Sequence, residues 1–276
     1  MKKTVRSIAM ALTLFILVAA AHAQSSAGEL DLGVAAYKDS RYDEAIQHFQ
    51  KAVDLDSGNV KAHMYLATAC LGEYIPGVDS EDNNAIAERA VEHYEHVLNS
   101  DSSLEQKVNS AKGIAYVYLN SKKFEDSKQY YQMASGFDPK DPELHYSIGT
   151  IDWTLSYQPR MEARAILGLK PEEHLNPKYS DQKNACDELR AKNWASIEEG
   201  IASLNKAIQL RPDYDDAMAY MNLVYREKAD LECDDPAARA SDLKTADHWV
   251  DLTLAVKKAK AEKNRGFAPP TAPNPQ

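Results

Sequence analysis

The chain is short of positive charge: 32 Lys and Arg stand against 42 Asp and Glu in 276 residues, a formal net charge of −10. Nucleic acids and anionic membranes both demand a basic footprint, so neither is the expected partner. Cysteine is scarce too, and three thiols allow at most one disulfide with one sulfur left over. No HExxH, GxSxG, phosphate-cradling or CxxC pattern occurs, which leaves catalysis, metal binding and cofactor binding without a motif to rest on. Beyond the first two dozen residues no apolar run approaches the roughly 20 residues that a membrane-spanning helix needs.

Those first residues are a different kind of segment. Lys2, Lys3 and Arg6 precede an apolar run from Ile8 to Ala21, and Ala21-His22-Ala23 fits the small-x-small rule for cleavage. An uncleaved anchor is the alternative, but the run is only about 14 residues long. The expectation is a leader over 1–23, cut after Ala23, and a mature chain starting at Gln24. No Cys follows the cut, so lipidation is not expected. The short Ala-rich leader points to a bacterial protein that is periplasmic or secreted.

What the rest of the chain does contain is a repeat. In Leu32 to Asp56, Leu32, Ala36 and Tyr37 recur at helical spacing, a short turn at Asp39-Ser40-Arg41 follows, and Ala45, Phe49 and Ala52 recur on a second helix. Ala45 and Ala52 let the two helices approach closely while Tyr42 and Phe49 fill the space beside them. A unit this small cannot bury its apolar face alone and must stack on copies of itself. Leu32-Gly33, Tyr37, Ala45, Phe49 and Ala52 together resemble the tetratricopeptide repeat (TPR), with Ser57 where that family usually has Pro and Glu29 where it often has Trp. The resemblance implies an all-α, right-handed superhelical solenoid of antiparallel helix pairs and a general role in binding proteins or peptides.

Further copies follow in register. Their spans are near 26–59, 60–104, 108–141, 142–214 and 215–257, giving a solenoid over 24–260 and a Pro-rich tail, 261–276, expected to be disordered. The third copy is the cleanest after the first, with Ala111, Ile114, Ala115, Tyr131 and Ala134 ending on Asp138-Pro139. From Ala52 to Val97 is 45 residues and from Ala134 to Ala207 is 73, so copies two and four exceed a 34-residue period by about 11 and 39. The insertions fall near 72–84, 154–193 and 228–240, each between the two helices of its copy, and so belong on one edge of the stack. The largest is expected to carry a short helix over Arg160 to Leu167. Either the three form a lid or second contact surface, or they are loop growth at exposed turns.

The groove of such a fold is lined by the first helix of each pair. Tyr37, Met64, Tyr65, Tyr116, Tyr146, Trp153 and Tyr220 are the residues expected there, a set suited to an extended or helical peptide. Packing between helices is the competing role for several of them. Some members of the family clamp a peptide's terminal carboxylate with Lys, Arg and Asn. The matching positions here are Leu30, Val34, Tyr65, Asn109 and Gly113, of which Asn109 alone suits that task, so no clamp is expected.

His93 and His96 stand three apart on a helix whose buried face is set by Tyr94 and Val97, which leaves both imidazoles outward and makes them no metal site. Glu198 and Glu199 read as solvated surface. Arg160, Arg164 and Lys170 form a basic spot that meets either an acidic partner or the chain's own carboxylates. Cys70 reads as a small buried hydrophobe, whereas Cys186 and Cys233 sit at adjoining ends of neighbouring antiparallel helices and form the expected disulfide. The function expected is a non-enzymatic protein- or peptide-binding scaffold of the cell envelope. An accessory subunit of an envelope secretion or outer-membrane assembly is the alternative, and an enzyme with a site built from the insertions is a weaker third.

Overall fold

The computed structural model describes residues 25–170 and 173–265. The leader expected over 1–23, and 266–276 of the expected tail, lie outside them. Ten helices and no strand occur among the described residues, in two compact units, Met1–Asp138 and Pro139–Gln276.

The first unit holds α1 (Ser26–Lys38), α2 (Tyr42–Leu55), α3 (Val60–Glu73), α4 (Glu81–Asn99), α5 (Leu104–Asn120) and α6 (Phe124–Phe137). Each packs on the next, and α3 also touches α1 and α5, so the first helices of successive hairpins lie side by side. Small residues make this possible: Ala36, Ala45, Ala52, Ala62, Ala67, Ala90, Ala111 and Ala115 are wholly buried. At two crossings even alanine is too large. A Cβ on Gly33 would run into the ring of Phe49, and one on Gly113 into the ring of Tyr94. The buried Phe49 ring contributes about 2–3 kcal/mol in return.

Four of the first unit's helices start on a side-chain acceptor, whereas α2 and α6 have none. Ser25, Asn59 and Ser80 cap α1, α3 and α4, and Ser103 with Gln106 forms a capping box on α5. Asn59 also donates to Ser26 Oγ (2.9 Å), which donates to the Ala52 carbonyl (2.8 Å), locking three helix ends together. The tight turns after α1 and α5 share one device, a left-handed residue at Ser40 (φ 59°) and Lys122 (φ 58°). Non-glycine residues adopt this region rarely.

The second unit holds α7 (Pro142–Ile166), α8 (Ser180–Leu210), α9 (Asp215–Leu231) and α10 (Pro236–Arg265). Its first hairpin has helices of 25 and 31 residues, against 13 and 14 in α1 and α2. The expected short helix from Arg160 to Leu167 is not separate: α7 runs unbroken through Pro159 to Ile166. It then closes on Gly168 (φ 67°), the same left-handed step seen at Ser40 and Lys122. Most of the 154–193 insertion is therefore helix that lengthens the hairpin. The insertion near 72–84 reduces to the segment 74–80, and that near 228–240 to the four residues between α9 and α10. α10 continues past residue 260 to Arg265, and its Lys260 reaches back to Asp215 at 2.5 Å.

Ion pairs are buried between α7 and α9. The Arg160 guanidinium meets both oxygens of Glu227 (2.5 and 2.6 Å) and Asp230 (3.1 Å), and Arg164 meets Asp230 at 2.9 Å. The two arginines of the basic spot read from the sequence thus pair with the chain's own carboxylates, while Lys170 stays exposed. Glu198 stays exposed, as read from the sequence, and there pairs with Lys228 at 2.9 Å. Cys186 on α8 is disulfide-bonded to Cys233, just past α9, with Cα atoms 6.5 Å apart. Cys70 is a buried free thiol.

Candidate peptide-binding face

Along α7 the residues Tyr146, Trp153, Tyr157 and Arg160 step by seven, four and three and so share one side of the helix. That side lies beside α9, which packs against both α7 and α8. Tyr220 of α9 sets its ring edge against Tyr146 (centroids 5.6 Å) and Trp153 (5.5 Å). Trp153 stacks on Tyr157 at 4.9 Å, and Tyr146 lies 5.0 Å from Tyr214. The result is a continuous aromatic face, half-buried except for Tyr214, which is buried.

Polar groups fix both ends of it. Tyr214 donates to the Glu143 carboxylate, Arg211 pairs with Glu143 at 2.6 Å, and the Arg211 guanidinium lies 4.3 Å from the Tyr214 ring centre. Burial pushes the Glu143 carboxyl up, but the bonds from Tyr214 and Arg211 prevail and hold it below its usual range. At the other end Arg160 lies 5.2 Å from the Tyr157 ring. Burial, reinforced by neighbouring Tyr220 and Asp216, raises the Tyr146 hydroxyl to about 12, so it stays a neutral donor and acceptor. Such a face presents apolar area with hydroxyls at its edge, which suits a peptide backbone crossing over it.

Three of the seven residues expected in the groove therefore meet: Tyr146, Trp153 and Tyr220. The other four occupy separate places in the first unit. Tyr37 packs edge-on to Tyr42 (5.3 Å), Tyr65 stacks on Phe49 (5.5 Å), and Met64 packs with Tyr94 and Ile114. Tyr116 is 39% exposed, with its ring edge towards the buried Tyr74. Tyr157 and Tyr214 were missed by the sequence reading. Tyr157 was legible, since it follows Trp153 by four residues on a helix, whereas Tyr214 stands in a turn where no period operates.

Of the two histidines expected to face outward, His96 is exposed and His93 differs. His93 does not face outward: it is buried, its Nδ1 is 3.0 Å from Nδ1 of buried His63, and His96 stacks on His63 at 3.7 Å. Burial, then the neighbouring His63, Arg89 and His96, lowers His93 to about 4. Among the described residues no group of three or more His, Cys, Asp or Glu is placed to hold a metal ion. No helix among them is long and apolar enough to cross a membrane.

Residues 30–59 match the family model for the tetratricopeptide repeat. Among solved structures the chain is similar to MamA, at 13% identity and a TM-score of 0.56, over 90% of this chain and 98% of that one. It is also similar to MamA from residue 41 onward of Desulfovibrio magneticus RS-1 (12% identity, TM-score 0.52, covering 85% and 96%). A third is YrrB, described as a TPR protein with an unusual peptide-binding site (13% identity, TM-score 0.50, covering 84% and 91%). No curated protein matches the chain. At such identities the likeness is one of fold, helices packed in adjacent antiparallel pairs. One tetratricopeptide repeat is thus matched at 30–59, and the helices on either side of it are paired in sequence in the same way.

Proposed function

We propose that the chain is a non-enzymatic scaffold that binds an extended peptide segment of a partner protein across the aromatic face of α7 and α9. The observation that carries this is the run of interlocked, half-exposed rings of Tyr146, Trp153, Tyr157 and Tyr220 on first helices of successive hairpins. Rings already fixed by one another lose little freedom on binding. The peptide-binding site described for YrrB supports a peptide ligand for this fold. Lys2, Lys3, Arg6 and the apolar run to Ala21 support export, with the mature chain starting at Gln24 in the periplasm or outside the cell. A disulfide between Cys186 and Cys233 suits that oxidising setting.

The test is selection of peptides from a random library on the mature chain, followed by affinity measurement. Changing Trp153 and Tyr220 together to Ala should weaken a selected peptide by at least about tenfold. Unchanged affinity in a variant with native circular dichroism would sink the proposal. Amino-terminal sequencing of protein recovered from the envelope fraction should read Gln24 first, and an intact Met1 would overturn export with cleavage.

A further inference from the structure

The insertion in the second hairpin builds something the plain first hairpin lacks. Where α1 and α2 are joined by three residues, α3 and α4 are joined by the segment 74–80. A single buried side chain holds that segment. Asn83 accepts from the Ile75 amide through Oδ1 (2.8 Å) and donates through Nδ2 to the carbonyls of Ile75 (2.9 Å) and Val78 (2.7 Å). Between the held segment, α4 and the end of α5 opens a cleft of about 590 Å³. That lies within the usual size of a binding cavity, about 300–1,000 Å³.

The floor of the cleft is apolar, made of Tyr74, Ala87 and Val117 with Val91 beside them. Its α4 wall is acidic: Glu88, Glu92 and Glu95 follow one another by four and three, and Asp79 faces in from the inserted segment. Glu88 and Glu92 are exposed and make no salt bridge among the described residues, although like charges four apart on a helix repel. The cations of the lining, Lys122 and Lys123, belong to the turn after α5, and Lys123 is already placed 5.5 Å over the Tyr118 ring. Glu95 already accepts from the Tyr130 hydroxyl (2.9 Å) and Asp79 from Asn84 (2.9 Å), but neither bond brings a positive charge. An apolar floor under a row of carboxylates matches a side chain with a hydrocarbon stem and a cationic head.

We propose that this cleft is a second docking site, for an extended segment of a partner protein that carries an arginine or lysine between apolar residues. The stem lies along Tyr74, Val91 and Val117, and the head sits among Glu88, Glu92 and Glu95. The charge excludes an anionic ligand, and a wholly apolar segment would leave the carboxylates desolvated and unmatched. The site is independent of the α7–α9 aromatic face and stands whether or not that face binds peptide.

The probe is a fluorescein-labelled hexapeptide, Ala-Leu-Arg-Leu-Arg-Ala, titrated with the mature chain at low salt. Its controls replace both arginines by citrulline or by glutamate. Binding of the arginine peptide should exceed that of the citrulline peptide by about tenfold, fall by about tenfold in E88Q/E92Q, and weaken with added salt. The W153A/Y220A variant should bind it as the parent does, which separates this site from the aromatic face. In E88K/E92K the preference should reverse to the glutamate peptide, a gain that misfolding does not produce. Equal binding by parent and E88Q/E92Q, equal binding of arginine and citrulline peptides, or no binding up to about 1 mM would each overturn the proposal.

Discussion

The two units pack the same kind of hairpin by close approach at glycine, Gly149 against Leu204 in the second as Gly33 against Phe49 in the first, but the second adds ions and a covalent bond. In the first, helices are held by close apolar approach, with Gly33 under Phe49 and Gly113 under Tyr94. The second places ions and a covalent bond inside: Arg160, Arg164, Glu227 and the disulfide are all buried or nearly so. The difference follows helix length. An α7 of 25 residues and an α8 of 31 extend past the span that α9 can cover with small residues alone, and the ion pairs and the disulfide lie in that extension. A buried ion pair is poor in net stability but severe when half of it is removed. The second unit should therefore be the more brittle of the two.

All three tryptophans, Trp153, Trp194 and Trp249, belong to the second unit. Tryptophan emission thus follows that unit, while circular dichroism follows both. The largest effect is expected from Glu227→Ala, which takes both of its oxygens from buried Arg160, leaves that charge only Asp230, already shared with Arg164, and should cost about 3–5 kcal/mol in urea unfolding followed by tryptophan emission. A loss below about 1 kcal/mol would erase the contrast between the units. Next comes the disulfide: changing Cys186 and Cys233 both to Ser should cost about 2–4 kcal/mol on the same signal. If the tryptophan transition does not move, the bond is not part of what holds α8 to α9.

The first unit should instead be the acid-sensitive one. His93 stands at about 4 when folded, against its ordinary 6.5, chiefly through burial. The unfolded chain therefore takes up that proton first as pH falls. Stability should erode from pH 6.5 downward and the loss should be complete near pH 4, amounting to about 3 kcal/mol. His63, also lowered, adds in the same direction. Dichroism-monitored unfolding should show this slope in the parent and a flatter one in His93→Gln; identical slopes would remove the histidine pair from the account. The smallest effect is expected from Gly33→Ala, about 1–3 kcal/mol, because the Phe49 ring can shift to admit a methyl group. Its unfolding midpoint in urea checks this, and a parent-like midpoint would mean that the crossing is looser than it looks.

The plain register was legible in the sequence because Ala45, Phe49 and Ala52 are both local and periodic, and the helix pair they mark is the one found. Length was not. Pro159 and Gly168 are helix breakers by local rule, yet α7 continues past the first of them, where Arg160 is anchored one residue on by Glu227 from a distant helix. A single stripe also misled at His93. Tyr94 and Val97 do mark a buried face, but α4 is packed against both α3 and α5, so the neighbouring position is covered as well. Of the aromatic face, the α7 stripe could be read from spacing. Its meeting with Tyr220 depends on α9 lying beside α7, which no local pattern reports.

The third sulfur has a consequence for how the chain matures. Cys70 is 1% exposed, and burial raises its thiol to about 11, so the thiolate that attacks other sulfurs is almost absent from the folded first unit. Once the first unit is folded that sulfur is withdrawn from exchange, and the bond left to form is the one between Cys186 and Cys233.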